Sequence, residues 1–365
     1  MTYLNVDEVE SAIINLSAKY QDLCRLVTLA NPTIEGRISH ALNIGKELGS
    51  KNMVFLTGGV HAREWGSSEI CIYLAADLLE AYSNNTGLKY GTKYFDADDI
   101  ESIIENLNIL IFPCVNPDGR YYSQTSEPLW RHNRNPSESC GIPKCVGVDI
   151  NRNYDFLWDF NKHFSPNSNV YTSNDPCFYK QIYRGSAPFS EPETQNVKWL
   201  YDNYPMIKWY VDIHSYGNDI LYSWGDDENQ TENPGMNFID PLYNSRRGVE
   251  NDNSYKEYIP KADLDTAIAL ANSIRDGIEA VRGKKYDVKP GFHLYPTSGA
   301  GDDYAYSRHF SNPGNNKVLA FTLEWGEYFG SDETSFHPKW DEMKEIVIDV
   351  NAGLLEFCLK IGRRS

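Results

Sequence analysis

Apolar segments with strand-like and helix-like spacing alternate along most of the 365-residue chain. Met53–Leu56 and Ile109–Val115 are short continuous apolar runs, which are typical of strands buried on both faces. Ser67–Tyr82 and Lys261–Arg282 carry their apolar residues at helical spacing. The same patterns predict helices at Val6–Tyr20, Glu191–Tyr204 and Lys339–Ile361, and strands at Ile207–Ile213 and Lys317–Glu324.

This alternation predicts an α/β protein with one domain over residues 1–365. We expect a central twisted sheet, mixed but mostly parallel, with helices on both faces. No repeat, low-complexity tract or Pro/Gly/Ser-rich linker divides the chain. Two long polar segments, 116–190 and 225–260, exceed ordinary connections and are predicted to be functional loops, the first opening with a turn at Asn116–Gly119.

The charge balance excludes two classes of partner. The net charge is −17, and no basic run occurs beyond Arg363-Arg364, so we expect no binding to nucleic acid or to anionic membranes. The apolar runs are also too short to span a bilayer. Met1 is followed by Thr-Tyr-Leu and an acidic helix, and a signal peptide is therefore not predicted.

The cysteines fall into two groups. Seven cysteines cannot all pair within one chain. Cys71 and Cys114 lie in apolar runs and are predicted to be buried thiols. Cys140, Cys145 and Cys177 lie in Pro/Ser/Asn-rich sequence and are the candidates for a disulfide.

A candidate metal site follows the strand at Met53–Leu56. His61 and Glu64 come directly after that strand and two glycines, and His214 follows the strand at Ile207–Ile213. Two histidines and one glutamate, with the fourth position open to water, form a catalytic zinc set. Taken singly, His61 and Glu64 could be a surface pair, and His214 a hydrogen-bonded core residue. Their coincidence at strand ends favours zinc.

Five sequence blocks then reveal a family resemblance. The chain resembles the zinc metallocarboxypeptidases (funnelins, carboxypeptidase A/B-like) from about Tyr3 to Ile361. Carboxypeptidase A itself binds zinc through two His and one Glu. The blocks that match in order are Gly59–Trp65 (GVHAREW), Asn116–Gly119 (NPDG), Gly147–Asn153 (GVDINRN), Asp212–Tyr216 (DIHSY) and Phe321–Glu324 (FTLE).

The resemblance implies catalytic roles. Glu324 is implied as the general base that deprotonates the attacking water, whose pKa zinc lowers. Arg131 is implied to stabilise the oxyanion. Alternatively, each of these two residues could form a salt bridge and have no catalytic role.

It also implies substrate contacts. Asn151, Arg152 and Tyr295 are implied to hold the terminal carboxylate of the substrate, since a guanidinium suits bidentate carboxylate binding. Arg63, Ser215 and Tyr216 match positions that contact the substrate further along.

Asp302 carries the expectation about specificity. Counting without gaps from Tyr295, it falls where the family has its pocket-floor residue, and an aspartate there accompanies cleavage of C-terminal Lys or Arg. The alternative is that Asp302 is the N-cap of a helix through Tyr304–Phe310, a role that Asp303 could equally fill.

Three further features are interpreted by comparison with the family. Cys145 and Cys177 match positions that pair in the pancreatic enzymes, although Cys140 could compete; a bridge across this loop would stabilise the fold by about 3–4 kcal/mol. We expect no inhibitory prodomain before Tyr3, either because it was removed or because this branch has none. The acidic segment Asp226–Pro260 is interpreted as a solvated loop rather than as a calcium site formed by Asp226, Asp227 and Glu228.

We therefore expect a monomeric enzyme that binds one zinc ion and cleaves the last peptide bond of peptides or proteins. The resemblance implies secretion. Two alternatives stay open at this point: a zinc amidase acting on a cell-wall peptide or an acyl-amino acid, and an inactive zinc-binding module with the same fold.

Overall fold

The computed structural model describes residues 3–142 and 145–363. The strands are β1 Cys24–Thr28, β2 His40–Ile44, β3 Met53–Gly58, β4 Leu88–Tyr90, β5 Lys93–Phe95, β6 Asn108–Phe112, β7 Ile207–Ser215, β8 Asp219–Tyr222, β9 Asn229–Gln230, β10 Glu257–Tyr258, β11 Asp287–Pro290 and β12 Leu319–Trp325. The α-helices are α1 Val6–Lys19, α2 Gly66–Asn84, α3 Ala97–Asn106, α4 Pro117–Thr125, α5 Phe160–His163, α6 Pro192–Asn203, α7 Lys261–Arg282, α8 Gly301–Ser311, α9 Asp332–Phe336 and α10 Trp340–Gly362. Short 3-10 helices lie at Ile150–Arg152, Pro241–Tyr243 and Gly291–His293.

A mixed eight-stranded sheet organises the molecule, with the strand order β1-β2-β6-β3-β7-β12-β8-β11. Its centre is parallel, from β6 through β3 and β7 to β12. β1, β2 and β6 pair antiparallel at one side, and β8 pairs antiparallel with β12 at the other. The predicted mixed, mostly parallel α/β sheet is therefore confirmed.

The central strands are buried on both faces because helices cover both sides of the sheet. Along β3, Val54 and Leu56 belong to one hydrophobic core, and Met53 and Phe55 belong to the other. The first core receives side chains from α2, α7 and α10, and the second from α6 and α8. This explains the continuous apolar runs, since successive side chains of a strand point to opposite faces.

The predicted turn at Asn116–Gly119 is wrong. Asn116 is the N-cap of α4, and its side-chain oxygen accepts a hydrogen bond from the backbone N–H of Gly119 at 2.9 Å. Pro117 occupies the first helical turn, where its missing N–H is not needed. A turn-like composition can also begin a helix, and the sequence continues into one here.

The acidic segment also differs from its interpretation as a solvated loop. Asp226 and Asp227 are buried, at 0% and 1% exposure. Arg247 lies beside them, with its Nε 3.5 Å from Asp226 Oδ2, and Asp227 accepts a backbone hydrogen bond from Gly248 at 2.7 Å. Burial raises the pKa of Asp226 to about 6. The first two carboxylates of the segment are thus buried against Arg247 and Gly248, which belong to the same segment.

None of the helices within the described residues combines the length and the apolar composition needed to span a lipid bilayer.

Candidate active site

The three predicted metal ligands lie at the ends of two adjacent parallel strands. β3 ends at Gly58, which lies opposite Ile213 of β7, so His61 and His214 meet at one edge of the sheet. Gly59 adopts φ +63°, a conformation that glycine takes without strain, and this bend directs the following residues into the edge. Glu64 lies just before α2.

The geometry of these three residues fits a divalent metal ion. His61 Nδ1 lies 2.7 Å from Glu64 Oε1, and His214 Nδ1 lies 2.9 Å from Glu64 Oε2. The two Nδ1 atoms are 3.1 Å apart. All three side chains are buried, and their ligand atoms converge within 4.8 Å of one another. Two imidazoles and a carboxylate that face one point are a donor set suited to zinc.

Two carboxylates that the sequence reasoning missed orient the histidines. His61 Nε2 lies 3.1 Å from Asp149 Oδ1, and His214 Nε2 lies 2.8 Å from Asp212 Oδ2. Such partners fix the ring orientation and leave Nδ1 free for a metal. Asp212 could have been found from the sequence, because it lies two residues before His214 on β7. Residues two apart on a strand point to the same side.

Glu324 lies next to this cluster because of strand register. β12 pairs parallel with β7, and Glu324 is directly opposite His214. Burial raises the pKa of Glu324 to about 7. The carboxylate lines the same cleft as His61 and Glu64.

Arg131 is held rigidly beside the cleft. Its Nε donates to Asp149 Oδ2 at 2.9 Å, and its backbone N–H donates to the side-chain oxygen of Gln181 at 2.8 Å. Burial alone would raise the pKa of Asp149, but Arg131 and His61 hold that pKa well below its usual range. One ionised aspartate therefore positions both a predicted metal ligand and the predicted oxyanion-stabilising residue.

The three residues predicted to hold a carboxylate converge at one part of the cleft. Asn151 Oδ1 accepts a hydrogen bond from Gly301 N at 2.7 Å, which leaves its amide nitrogen to donate elsewhere. Arg152 donates through Nε to Tyr171 O at 2.6 Å, and its buried Nη2 has no hydrogen-bond partner among the described residues. Tyr295 stacks on Tyr171 at 4.5 Å between ring centroids.

Asp302 lines the cleft and is not a helix cap. α8 begins at Gly301 with Ala300 as its N-cap, so Asp302 and Asp303 both lie inside the first turn, and the capping interpretation is wrong for both. Asp302 Oδ2 accepts a hydrogen bond from Thr322 at 2.9 Å, and Oδ1 accepts one from the backbone of Asp303 at 2.8 Å. Burial raises the pKa of Asp302.

The remaining predicted residues lie at the same cleft. Arg63 places its guanidinium 4.4 Å from the ring centroid of Phe336. Ser215 donates its backbone N–H to Glu64 Oε2 at 3.3 Å, and Tyr216 follows it in the chain. The cleft has a volume of about 340 Å³ and is lined by eleven of the twelve predicted residues, with His214 beneath it. The lining residues among them are His61, Arg63, Glu64, Arg131, Asn151, Arg152, Ser215, Tyr216, Tyr295, Asp302 and Glu324.

The zinc carboxypeptidase family model matches residues 9–346. The chain belongs to the zinc carboxypeptidase family. Members of this family are metallocarboxypeptidases, which act on peptide C-termini. Among curated zinc carboxypeptidases, carboxypeptidase B of Astacus astacus is 29% identical over 346 residues, which cover 92% of this chain and 94% of that protein. Carboxypeptidase B of Helicoverpa zea is 31% identical over 63% of this chain and 48% of that protein.

Solved structures share the fold. Bovine thrombin-activatable fibrinolysis inhibitor, in complex with tick carboxypeptidase inhibitor, superposes with a TM-score of 0.71 at 20% identity, covering 100% of this chain and 98% of the solved one. Carboxypeptidase A of Helicoverpa armigera gives a TM-score of 0.72 at 22% identity, covering 99% of this chain and 73% of the solved one. These likenesses confirm the predicted α/β fold.

In this zinc carboxypeptidase, three cysteines lie close to one another. Cys140 and Cys177 form a disulfide, and the sulfur of Cys145 also lies within bonding distance of Cys177. A sulfur bridges only one partner at a time, so the pairing of Cys145 with Cys177 stays a prediction. Cys24, Cys71, Cys114 and Cys358 are buried thiols, which confirms the prediction for Cys71 and Cys114.

We expect peptide mapping to find Cys177 in a disulfide and five of the seven cysteines as thiols. The measurement is mass spectrometry of a non-reduced digest, after alkylation at low pH to prevent exchange. Cys140→Ser and Cys145→Ser variants form a matched pair: removing the true partner of Cys177 abolishes its cross-linked peptide, and removing the other cysteine does not. Seven alkylated thiols in the native protein would rule out the bridge.

Proposed function

We propose that this protein removes single residues from the C-termini of peptides or proteins, using one zinc ion held by His61, Glu64 and His214, and that it prefers C-terminal Lys or Arg. The zinc carboxypeptidase family supports the reaction class. The ligand set, the individual roles and the preference follow from the side chains around the cleft.

The observation that carries this proposal is the unpaired guanidinium nitrogen of Arg152. A buried N–H donor without a partner is costly, so a ligand that accepts its hydrogen bond is strongly favoured. Asn151 offers an amide donor at the same place, and burial raises the pKa of Tyr295, so its hydroxyl stays protonated. Three hydrogen-bond donors that converge in this way suit a terminal carboxylate of the substrate.

Zinc, when bound, would polarise the scissile carbonyl and lower the pKa of the attacking water. The Glu324 carboxylate takes the proton from that water and passes it to the leaving amine. The Arg131 guanidinium, fixed by Asp149, donates hydrogen bonds to the carbonyl oxygen as negative charge develops on it. Because Asp149 holds Arg131 in place beforehand, little reorganisation is needed at the moment of reaction.

Asp302 supports the proposed preference for basic residues. Its carboxylate is half-buried in the cleft, and its hydrogen-bond partners among the described residues are neutral groups, Thr322 and the backbone of Asp303. A Lys or Arg side chain entering the cleft would supply the missing counter-charge. Gly225 and Gly291 line the same cleft and place no side chain in it.

We expect the enzyme to cleave N-blocked dipeptides that end in free Arg and to leave their C-terminally amidated forms intact, because an amide cannot pair with Arg152 as a carboxylate does. Removal of zinc with a chelator should abolish cleavage, and added zinc should restore it. The measurement is the release of the C-terminal amino acid.

The same panel separates the alternatives. Equal cleavage of free and amidated substrates would contradict recognition of the terminal carboxylate. Cleavage that survives complete metal removal would contradict the zinc site. Turnover of an acyl-amino acid with no turnover of blocked dipeptides would favour the amidase.

A further inference from the structure

The carboxylate of Asp332 also lines the cleft, in addition to those of Glu64, Asp302 and Glu324. Asp332 begins α9 and accepts a hydrogen bond from the Tyr216 hydroxyl at 2.7 Å. Tyr216 lies two residues beyond His214, past the end of β7, whereas the partner of Asp302 is Thr322 within β12. The two aspartates therefore belong to different parts of the cleft.

The charge of Asp332 has no counter-ion. Within the described part of the chain it takes part in no ion pair, and its partner Tyr216 is a neutral phenol. Arg63 is the neighbouring cation, lying over Phe336, but the carboxylates of Glu64 and Asp149 already act on its charge. Asp332 is exposed, so a cation on a substrate can reach it.

Two aromatic rings pack near Tyr216, the hydrogen-bond partner of this carboxylate. The ring centroid of Tyr216 lies 5.0 Å from that of Phe336 and 6.3 Å from that of Tyr328, whose side chain is 63% exposed. Aromatic faces attract ammonium and guanidinium groups. A carboxylate next to aromatic rings is the chemistry that recognises a Lys or Arg side chain.

The proposed function fixes which substrate residue lies here. If the terminal carboxylate binds Arg152, the last side chain lies near Asp302 and the scissile bond lies at the metal ligands. The residue before that bond then passes Ser215 and Tyr216, which directly follow His214. Asp332, which accepts a hydrogen bond from Tyr216, then lies within reach of its side chain.

We propose that Asp332 is a second specificity determinant, which selects a basic residue immediately before the scissile bond, so that the preferred substrates are peptides ending in two consecutive basic residues. This inference rests on the proposed function and names its substrate class. The net charge of −17 favours encounter with such peptides.

The test uses N-blocked dipeptides that share the best-cleaved C-terminal residue and carry Lys, Ala or Glu before it. We expect kcat/KM for Lys to exceed that for Ala by about twofold to fivefold, the effect of one partly exposed ion pair. Glu should be cleaved less well than Ala. The Lys advantage should shrink as salt is added, since salt screens exposed charges.

Asp332→Asn should remove the Lys advantage and leave the Ala substrate almost unchanged. Glu333→Gln is the matched control, because Glu333 is the next residue of α9, is also exposed, and does not line the cleft. It should retain the Lys advantage. Equal cleavage of Lys and Ala by the native enzyme, or an advantage that persists in Asp332→Asn, would overturn the inference. No cleavage of the Ala substrate would instead contradict the proposed function.

Discussion

Replacing Glu324 with Gln should lower kcat by about 10²–10⁴-fold, because the amide cannot accept the proton of the attacking water. The substitution keeps the size of the side chain and does not touch the ligands His61, Glu64 and His214. We therefore expect one zinc ion per chain in both proteins. Steady-state turnover of a blocked dipeptide and metal analysis by mass spectrometry measure the two quantities separately.

A matched control is Glu327→Gln, three residues along the same segment. Glu327 pairs with Lys284 at the surface, 2.7 Å away, and lies outside the cleft lining. Its substitution should change turnover little. Near-native turnover by Glu324→Gln would show that another group is the base. Loss of zinc from that variant would mean that Glu324 supports the metal site.

The second large effect concerns Asp302. Asp302→Asn should lower kcat/KM for a C-terminal Arg substrate by about 100-fold, because a buried guanidinium would lose its counter-charge. Cleavage of a C-terminal Phe substrate should stay the same or improve, since no cation is involved. The measurement is the ratio of kcat/KM for Arg and Phe substrates that differ only in this residue.

The Phe substrate serves as the internal control for folding, because a misfolded variant would lose both activities. Asp341→Asn provides a second control, since Asp341 lies on α10 away from the cleft. A native enzyme that cleaves Phe as well as Arg, with no change in Asp302→Asn, would remove the proposed preference.

The sequence predicted the central elements well, because their signals are local. α7 was predicted with its observed bounds, and β3 and α2 within two residues. A strand buried on both faces gives a continuous apolar run, and a long amphipathic helix repeats its signal over many turns. The pairing of β3, β7 and β12 brings the predicted ligands and base together at one edge of the sheet.

Features that depend on tertiary structure were missed. β1 and β2 form an antiparallel pair at one side of the sheet, and β1 is buried only at its first and fourth residues, which gives no alternating pattern. Asp226 was interpreted as solvated because no local signal reveals that Arg247, twenty-one positions later, would be buried beside it. The resemblance gave Asp149 no role, although the structure shows that it contacts both His61 and Arg131.

The cleft is built from two separate pieces of scaffold. The proposed ligands and base come from the ends of β3, β7 and β12, which the sheet fixes through backbone hydrogen bonds. Asp302 comes from α8 and reaches the sheet through one side-chain contact with Thr322. Single substitutions on α8 can therefore change the proposed substrate preference during evolution. The proposed metal ligands and base at the strand ends are not affected by such substitutions.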